Sequence, residues 1–191
     1  SEATDGAASA DEVVFGVIIG TGTGAGIVVD RKVVVGPNAI AGEWGHNPLP
    51  WPQANELPGA DCFCGRSGCI ETWVSGPGMV RDHCQHNSLA HSHDITRKLL
   101  VDADEQGDGS AVQTIQRYER RLAKSLAHVI NMLDPDVIVL GGGMGNIESL
   151  YVNVPKLLPE YVFSDVVNTK IVAPVHGDSS GVRGAAWLWN R

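Results

Sequence analysis

The sequence has no excess of positive charge. Lys and Arg number 14 against 22 Asp and Glu, a formal net charge of −8 over 191 residues. That balance argues against a broad electrostatic grip on nucleic acid or on an anionic membrane. No apolar run approaches the roughly 20 residues of a membrane-spanning helix. The first residues, SEATDGAASADE, lack the basic region and apolar run of a secretory signal. They also lack a Met and enter abruptly, which reads as a fragment or a processed start. Cysteine is sparse, with four residues in all. Nothing suggests secretion, so the expected location is a reducing compartment, the cytoplasm, with thiols free to act as ligands. Internal repeats are absent. What remains is 43% apolar and 19% charged, enough for one domain with a sizeable core, or a domain with an appendage.

The hydrophobic pattern predicts an α/β fold. Residues 13–19, VVFGVII, read as a strand buried on both faces. GTGTGAG at 20–26 reads as a loop, and IVVD (27–30) and KVVVG (32–36) as two strands joined by a tight turn at Asp30-Arg31. Residues 37–61 form a long Pro-, Gly- and Asn-rich loop, and a helix is expected to open within 70–82. HCQHNSLAHSH at 83–93 reads as a polar, solvated stretch. Val112, Ile115, Tyr118, Leu122, Leu126, Val129 and Leu133 recur at three and four, predicting a long amphipathic helix over 111–133 that Asp134-Pro135 stops. VIVL (137–140) is a second buried strand followed at once by GGGMG. A helix with an internal proline is expected over 150–163, a strand over 170–175 and a last helix over 182–190. Helix, buried strand and glycine turn in that order are the alternation of a layered fold with parallel strands.

Three of the four cysteines lie in CFCGRSGC, residues 62–69. Cys62 and Cys64, one residue apart, are poorly placed to bridge each other. Closely packed sulfur donors suit zinc, which in structural sites takes four tetrahedral ligands. Cys62, Cys64 and Cys69 supply three, and His46 in AGEWGHNPLP is the best fourth. Ligation would account for the long loop, since residues 46–69 otherwise have little to bury. A full set of four leaves no open position, so this metal would hold shape and not activate water. Cys84 with His83, His86, His91 or His93 is a competing set whose spread looks more like a solvated loop.

Gly20-Thr21-Gly22-Thr23-Gly24 follows a buried strand and offers backbone N–H groups and hydroxyls to a phosphate. It is not a P-loop, because no GK[ST] follows. It is not the dinucleotide fingerprint, because strands and not a helix come next. Gly141-Gly142-Gly143 is a second place where a flat ligand could meet backbone. A tight strand connection explains either loop alone; two in one chain favour a nucleotide. Glu43 lies three residues before His46 and Glu71 two after Cys69. A metal would tie both carboxylates to one scaffold, in reach of sugar hydroxyls.

Together, GTGTGAG, AGEWGH, CFCGRSGCIE, DPDVIVLGGG and HGDSSGVRGAAW resemble a ROK-family sugar kinase, of the bacterial fructokinase (manno(fructo)kinase) type, from about Glu12 onward. The resemblance implies an actin-like ATPase (ribonuclease H-like) domain, a mixed sheet flanked by helices, with a zinc-stabilised loop at 46–69. Residues 1–12 would be a flexible start or a remnant of an interdomain helix, and 13–191 the C-terminal domain. It implies phosphate contacts at Gly20, Thr21, Gly22, Thr23 and Gly24, and adenosine contacts at Gly141, Gly142 and Gly143. Structural zinc would sit on His46, Cys62, Cys64 and Cys69. Glu43, His46 and Glu71 would contact the sugar. The reaction would be ATP-dependent, Mg²⁺-assisted phosphorylation of a hexose, with D-fructose as the expected substrate.

The family's catalytic base is an Asp in an Asn-Asp pair, expected before residue 1. Asp5, Asp11, Asp30 and Asp178 stand in the wrong context to replace it. The chain is therefore expected to be an inactive half, lacking an N-terminal domain of the same protein, with a homodimer expected at full length. Val182, Ala186, Trp187 and Trp189 would then form an exposed apolar patch. Glucokinase, N-acetylhexosamine kinase and the sugar-sensing domain of a ROK transcriptional regulator are the alternatives within the family. A zinc-stabilised interaction module is the alternative outside it. Nucleic-acid and membrane partners are not expected.

Overall fold

The computed structural model describes residues 1–90 and 95–187. Five strands form one mixed sheet: β1 (Val13–Ile19), β2 (Thr23–Val29), β3 (Lys32–Val33), β4 (Val137–Gly141) and β5 (Lys170–Val172), in the order β3-β2-β1-β4-β5. β1 pairs antiparallel with β2 and parallel with β4, and β4 pairs parallel with β5. The β2–β3 turn places Asp30 at φ 49° and Arg31 at φ 62°. Two successive left-handed residues match the right-handed twist of a hairpin.

The glycine segment is shorter as a loop than its composition suggests. β2 starts at Thr23, and Gly24 and Gly26 pair with Ile18 and Gly16. Partnership with β1, not propensity, makes this a strand. Only residues 20–22 are left to turn.

Among the described residues, seven α-helices accompany the sheet: α1 (Glu2–Asp5), α2 (Glu71–Val74), α3 (Gly76–His86), α4 (Arg97–Glu105), α5 (Gly109–Leu133), α6 (Ser149–Leu157) and α7 (Ser180–Trp187). Asp108 caps α5 by accepting from the backbone N–H groups of Ser110 and Ala111. Asp134, at φ 47°, ends it in the left-handed conformation before Pro135. Its predicted face is the centre of the core: Ile115, Tyr118, Leu122 and Leu126 pack with Phe15, Val17, Ile19, Ile138 and Leu140 of the sheet. The other sheet face, Val14, Val137 and Val139, is covered by Ala3 and Ala8. Residues 1–12 are tied down locally. Glu2 accepts from the backbone N–H groups of Val175 and His176 and from the Ser180 hydroxyl, and Asp5 pairs with His176 and Arg183.

The stretch expected to be solvated at 83–93 is not so at its start. His83 and Cys84 are buried in α3, with His83 Nδ1 3.0 Å from Thr114 Oγ1. α5 covers a face whose polar letters carry no hydrophobic signal. His91 and His93 lie outside the described residues, as does Trp189. Val182 is exposed. No helix among the described residues is long and apolar enough to cross a membrane.

Because β1 and β4 are parallel neighbours, the segments 20–22 and 141–143 leave the sheet side by side. Gly142 has φ 79°, and a Cβ there would lie 2.5 Å from the Ile19 carbonyl oxygen. Any side chain would push apart the two strand ends that position both loops. Gly142→Ala should cost about 2 kcal/mol or more through the left-handed backbone alone. Thermal unfolding should fall by roughly 4–8 °C for a chain of this size.

Candidate active site and metal centre

The long loop folds back on β2 through the turn Trp44–His46. Trp44 buries its ring edge-on against Phe15, with centroids 5.7 Å apart. Gly45 lies against the strand so closely that a Cβ would sit 2.1 Å from the Thr23 carbonyl oxygen. This contact aims His46 at the cysteine knuckle. The knuckle is closed by Cys62 N–H donating to Arg66 O at 2.7 Å and by short bridges pairing Pro48 with Cys69 and Asp61 with Ser67.

The donor atoms of His46, Cys62, Cys64 and Cys69 all lie within 4.8 Å of one another. His46 Nδ1 is 3.6 Å from Cys62 Sγ, and Cys64 Sγ is 3.6 Å from Cys69 Sγ. The edges of a tetrahedron with Zn–S and Zn–N bonds of ordinary length are about 3.5–3.8 Å. The four residues therefore fit a structural metal. The electrostatics agree. Burial, reinforced by the neighbouring sulfurs, pushes the Cys69 thiol up to about 12. Without a cation this knot carries a proton on Cys69, and a metal must displace it. A backbone hydrogen bond from Arg66 lowers Cys64. Among the described residues, this is the one His, Cys and carboxylate group close enough to hold a metal ion.

His46 turns its other ring nitrogen away from the sulfurs. Nε2 lies 3.9 Å from Glu43 Oε2, and the Glu43 side chain is 58% exposed. Metal ligation at Nδ1 would fix Nε2 as a donor facing solvent beside a carboxylate, a pair suited to a hydroxyl. Phe63 stands edge-on to the His46 ring, with centroids 4.9 Å apart. Glu71 begins α2 and reaches the glycine turn, where Oε2 accepts the Thr23 backbone N–H at 2.8 Å. Glu43 and His46 are thus brought together, and Glu71 links the knot to the Gly20 turn.

In that turn, Gly20 N–H donates to Gly22 O, and Gly20 O accepts from Gly76 N–H. Thr23 N–H is engaged by Glu71, and Gly24 is in the β1–β2 ladder. Among the described residues, the amides of Thr21 and Gly22 have no protein partner, and both residues are exposed. Gly141 ends β4, and Gly143 opens a single turn, Gly143–Asn146.

Sequence reasoning missed a buried charge network that holds the middle of the metal loop. Glu56 accepts from Arg121 Nε and Lys124 Nζ, both at 2.8 Å. Arg121 also donates to Asp82 at 2.7 Å, and Asp82 takes Arg117 as well. Arg121 stacks over Trp73, 4.4 Å from the ring. Glu56, Asp82, Arg121 and Lys124 are all buried. The only signal was Arg121 and Lys124 interleaved with the apolar face of α5. Nothing in the Pro-rich loop marked Glu56 as their partner.

The model of the ROK family matches residues 1–191. The N-acetyl-D-glucosamine kinase of Vibrio parahaemolyticus is 38% identical over 194 residues, covering 98% of this chain and 62% of that protein. The chain thus spans under two thirds of the length of the curated relatives it matches. The ROK-family glucokinase of Streptomyces griseus, solved with glucose and AMPPNP, superposes with a TM-score of 0.85 at 27% identity, covering 98% of this chain and 63% of that one. A ROK-family transcriptional regulator, a homologue of the E. coli MLC protein, superposes with a TM-score of 0.81 at 28% identity, covering 98% and 48%.

The actin-like fold with a mixed sheet flanked by helices is therefore as expected. Three expectations are corrected. The fructokinase resemblance gives way, because the curated relatives are N-acetyl-D-glucosamine kinases. The family match begins at residue 1, not near Glu12, and takes in the whole chain. The reading of an inactive C-terminal half that awaits a missing N-terminal domain is withdrawn on the same finding.

Proposed function

We propose that this chain, which belongs to the ROK family, serves the ATP-dependent phosphorylation of N-acetyl-D-glucosamine. The observation that supports the reading is that the Glu43–His46 pair, beside the His46, Cys62, Cys64 and Cys69 cluster, and the turn Gly20–Thr23 lie on one scaffold, joined by Glu71. The 38% identity to an N-acetyl-D-glucosamine kinase supports the choice of sugar.

In this reading zinc sits on His46, Cys62, Cys64 and Cys69 and supplies rigidity. Glu43, His46 and Glu71 orient the sugar hydroxyls. The free amides of Thr21 and Gly22 and the hydroxyl of Thr21 face the phosphates, whose charge Mg²⁺ would share, and Gly141–Gly143 borders the adenosine. Phosphoryl transfer needs little covalent chemistry from protein, so positioning and charge stabilisation are the main contributions. Three of the aspartates weighed as bases are engaged elsewhere: Asp5 pairs with His176 and Arg183, Asp11 pairs with Lys170, and Asp30 turns the hairpin.

A coupled assay of ADP release, run with N-acetylglucosamine, N-acetylmannosamine, glucose and fructose, tests the proposal. The highest kcat/KM is expected for N-acetylglucosamine and the lowest for fructose. Fructose as the best substrate would overturn the assignment. The likeness to a ROK-family regulator favours a second reading, a sugar-sensing domain. It predicts sugar binding with no nucleotide binding and no ADP release.

A further inference from the structure

We propose that Glu71 is a positioning residue that transmits the state of the metal knot to the turn Gly20–Thr23, so that metal occupancy sets nucleotide affinity. The effect on nucleotide rests on the kinase reading above; the mechanical link does not.

Two contacts grip the same residue, Thr23, from opposite ends of the knot. Glu71, two residues after the ligand Cys69, accepts the Thr23 N–H through Oε2 at 2.8 Å. Gly45, the residue before the ligand His46, packs against the Thr23 carbonyl, where a Cβ would lie 2.1 Å from the oxygen. Thr23 is buried, and its hydroxyl has no hydrogen-bond partner among the described residues. The Thr23 side chain therefore offers the strand start no other hydrogen bond.

The fit is close on the loop side too. A Cβ on Gly22 would lie 2.8 Å from the same Glu71 oxygen. The far end of the turn depends on the same stretch, since Gly76 N–H donates to Gly20 O at 2.8 Å. Both ends of the turn are thus tied to residues 71–76, directly after Cys69, and only the tip, Thr21 and Gly22, is left to face a ligand. The start of α2 is tied to both ligand segments through the backbone, since Ile70 N–H donates to Asn47 O at 2.8 Å and Thr72 Oγ1 donates to Cys69 O at 2.7 Å. When the metal leaves, the backbone pairing of 47–49 with 68–70 remains, but the bonds that fix the Cys69 and His46 side chains to one point are lost. Glu71 and Gly45 then shift together, and the Thr23 amide loses a charged acceptor inside the protein.

Amide hydrogen exchange of Thr23 by NMR reads the link directly. Nucleotide affinity is read by titrating a non-hydrolysable ATP analogue with Mg²⁺. Both are measured on the zinc-loaded protein and after a zinc-selective chelator. In the wild type, chelation should speed Thr23 exchange and weaken the analogue, each about tenfold, the worth of one charge-assisted hydrogen bond. Glu71→Ala should do the same with its zinc content unchanged, and chelation should then weaken the analogue by less than about twofold more, since contacts in one network do not add. Glu71→Gln still offers an acceptor oxygen and should stay within roughly threefold of the wild type. Glu71→Asp, one methylene too short, should behave like the alanine variant and serves if that variant fails to fold.

Thr23 exchange indifferent to both metal and Glu71 would overturn the proposal. So would chelation that weakens the analogue equally in the wild type and Glu71→Ala. If the zinc-loaded wild type binds no nucleotide at all, the kinase reading falls, while Thr23 exchange still decides the link.

Discussion

Replacing Cys69 with serine should abolish metal binding and lower the unfolding temperature by about 10 °C, taking a loss of roughly 3–5 kcal/mol over a chain of this size. Structural zinc is worth more than this in small fingers that have no other core. Here the loss is smaller because the loop has other anchors. Leu49 is buried and bonds to Gly68 O, and Glu56 is fixed by charge. The knuckle at 62–69 should loosen while the core around α5 persists. Elemental analysis with differential scanning calorimetry checks this. Cys84→Ser is the control. Cys84 is buried in α3 away from the cluster, so that variant should keep its zinc. Equal metal loss in both variants would move the site away from His46, Cys62, Cys64 and Cys69.

Glu56→Ala should destabilise by about 3–5 kcal/mol, a drop of roughly 10 °C in Tm. The change strips the counter-charge from Lys124 and one of two from Arg121, which are 2% and 4% exposed. Neither can reach water, so the cost is that of leaving cations buried. Lys124 keeps one bond, to the Trp51 carbonyl, and Arg121 keeps Asp82. The effect is pH-dependent. Burial works to raise the Glu56 carboxyl, but hydrogen bonds from Lys124, the Gln53 amide and Arg121 outweigh it and hold the group below its usual range. Its contribution is therefore complete above the unfolded value of 4.5 and is lost as pH falls through the lower folded value. Denaturation curves across the acid range should show the gap between wild type and Glu56→Gln narrowing as pH drops. A gap that stays constant would mean that the charge on Glu56 contributes nothing.

Much of the fold was legible because its signals are local. VVFGVII and VIVL are near-continuous apolar runs rich in β-branched residues and became β1 and β4. The three-four spacing of α5 and the Asp134-Pro135 stop needed no tertiary information. The clustering of His46, Cys62, Cys64 and Cys69 was legible because sulfur at such density has few other uses in a reduced protein. The features that escaped are set by pairing and packing partners and not by their own composition. Thr23-Gly24-Ala25-Gly26 has the composition of a loop and is a strand because β1 lies beside it. Glu56 in a Pro-rich loop carried no signal of its own, and only the approach of α5 shows it buried.

The fructokinase resemblance gave way for a physical reason. Two stretches that look like the fructokinase type, HNPLPWP and the block from Arg120 to Met144, serve the fold. Pro48 bridges to Cys69, Leu49 is buried, and the Trp51 carbonyl receives Lys124. The second block is α5 and β4. These residues report how the metal loop and core are built, not which hydroxyls a ligand presents.

The central claim is that the metal knot builds the sugar site. Isothermal titration of N-acetylglucosamine into zinc-loaded, chelated and reloaded protein tests it most directly. The account predicts one sugar per chain for the loaded protein, binding weakened at least about tenfold on chelation as the Glu43–His46 pair loses its fixed orientation, and recovery with one equivalent of zinc. Equal affinity in all three states would contradict it.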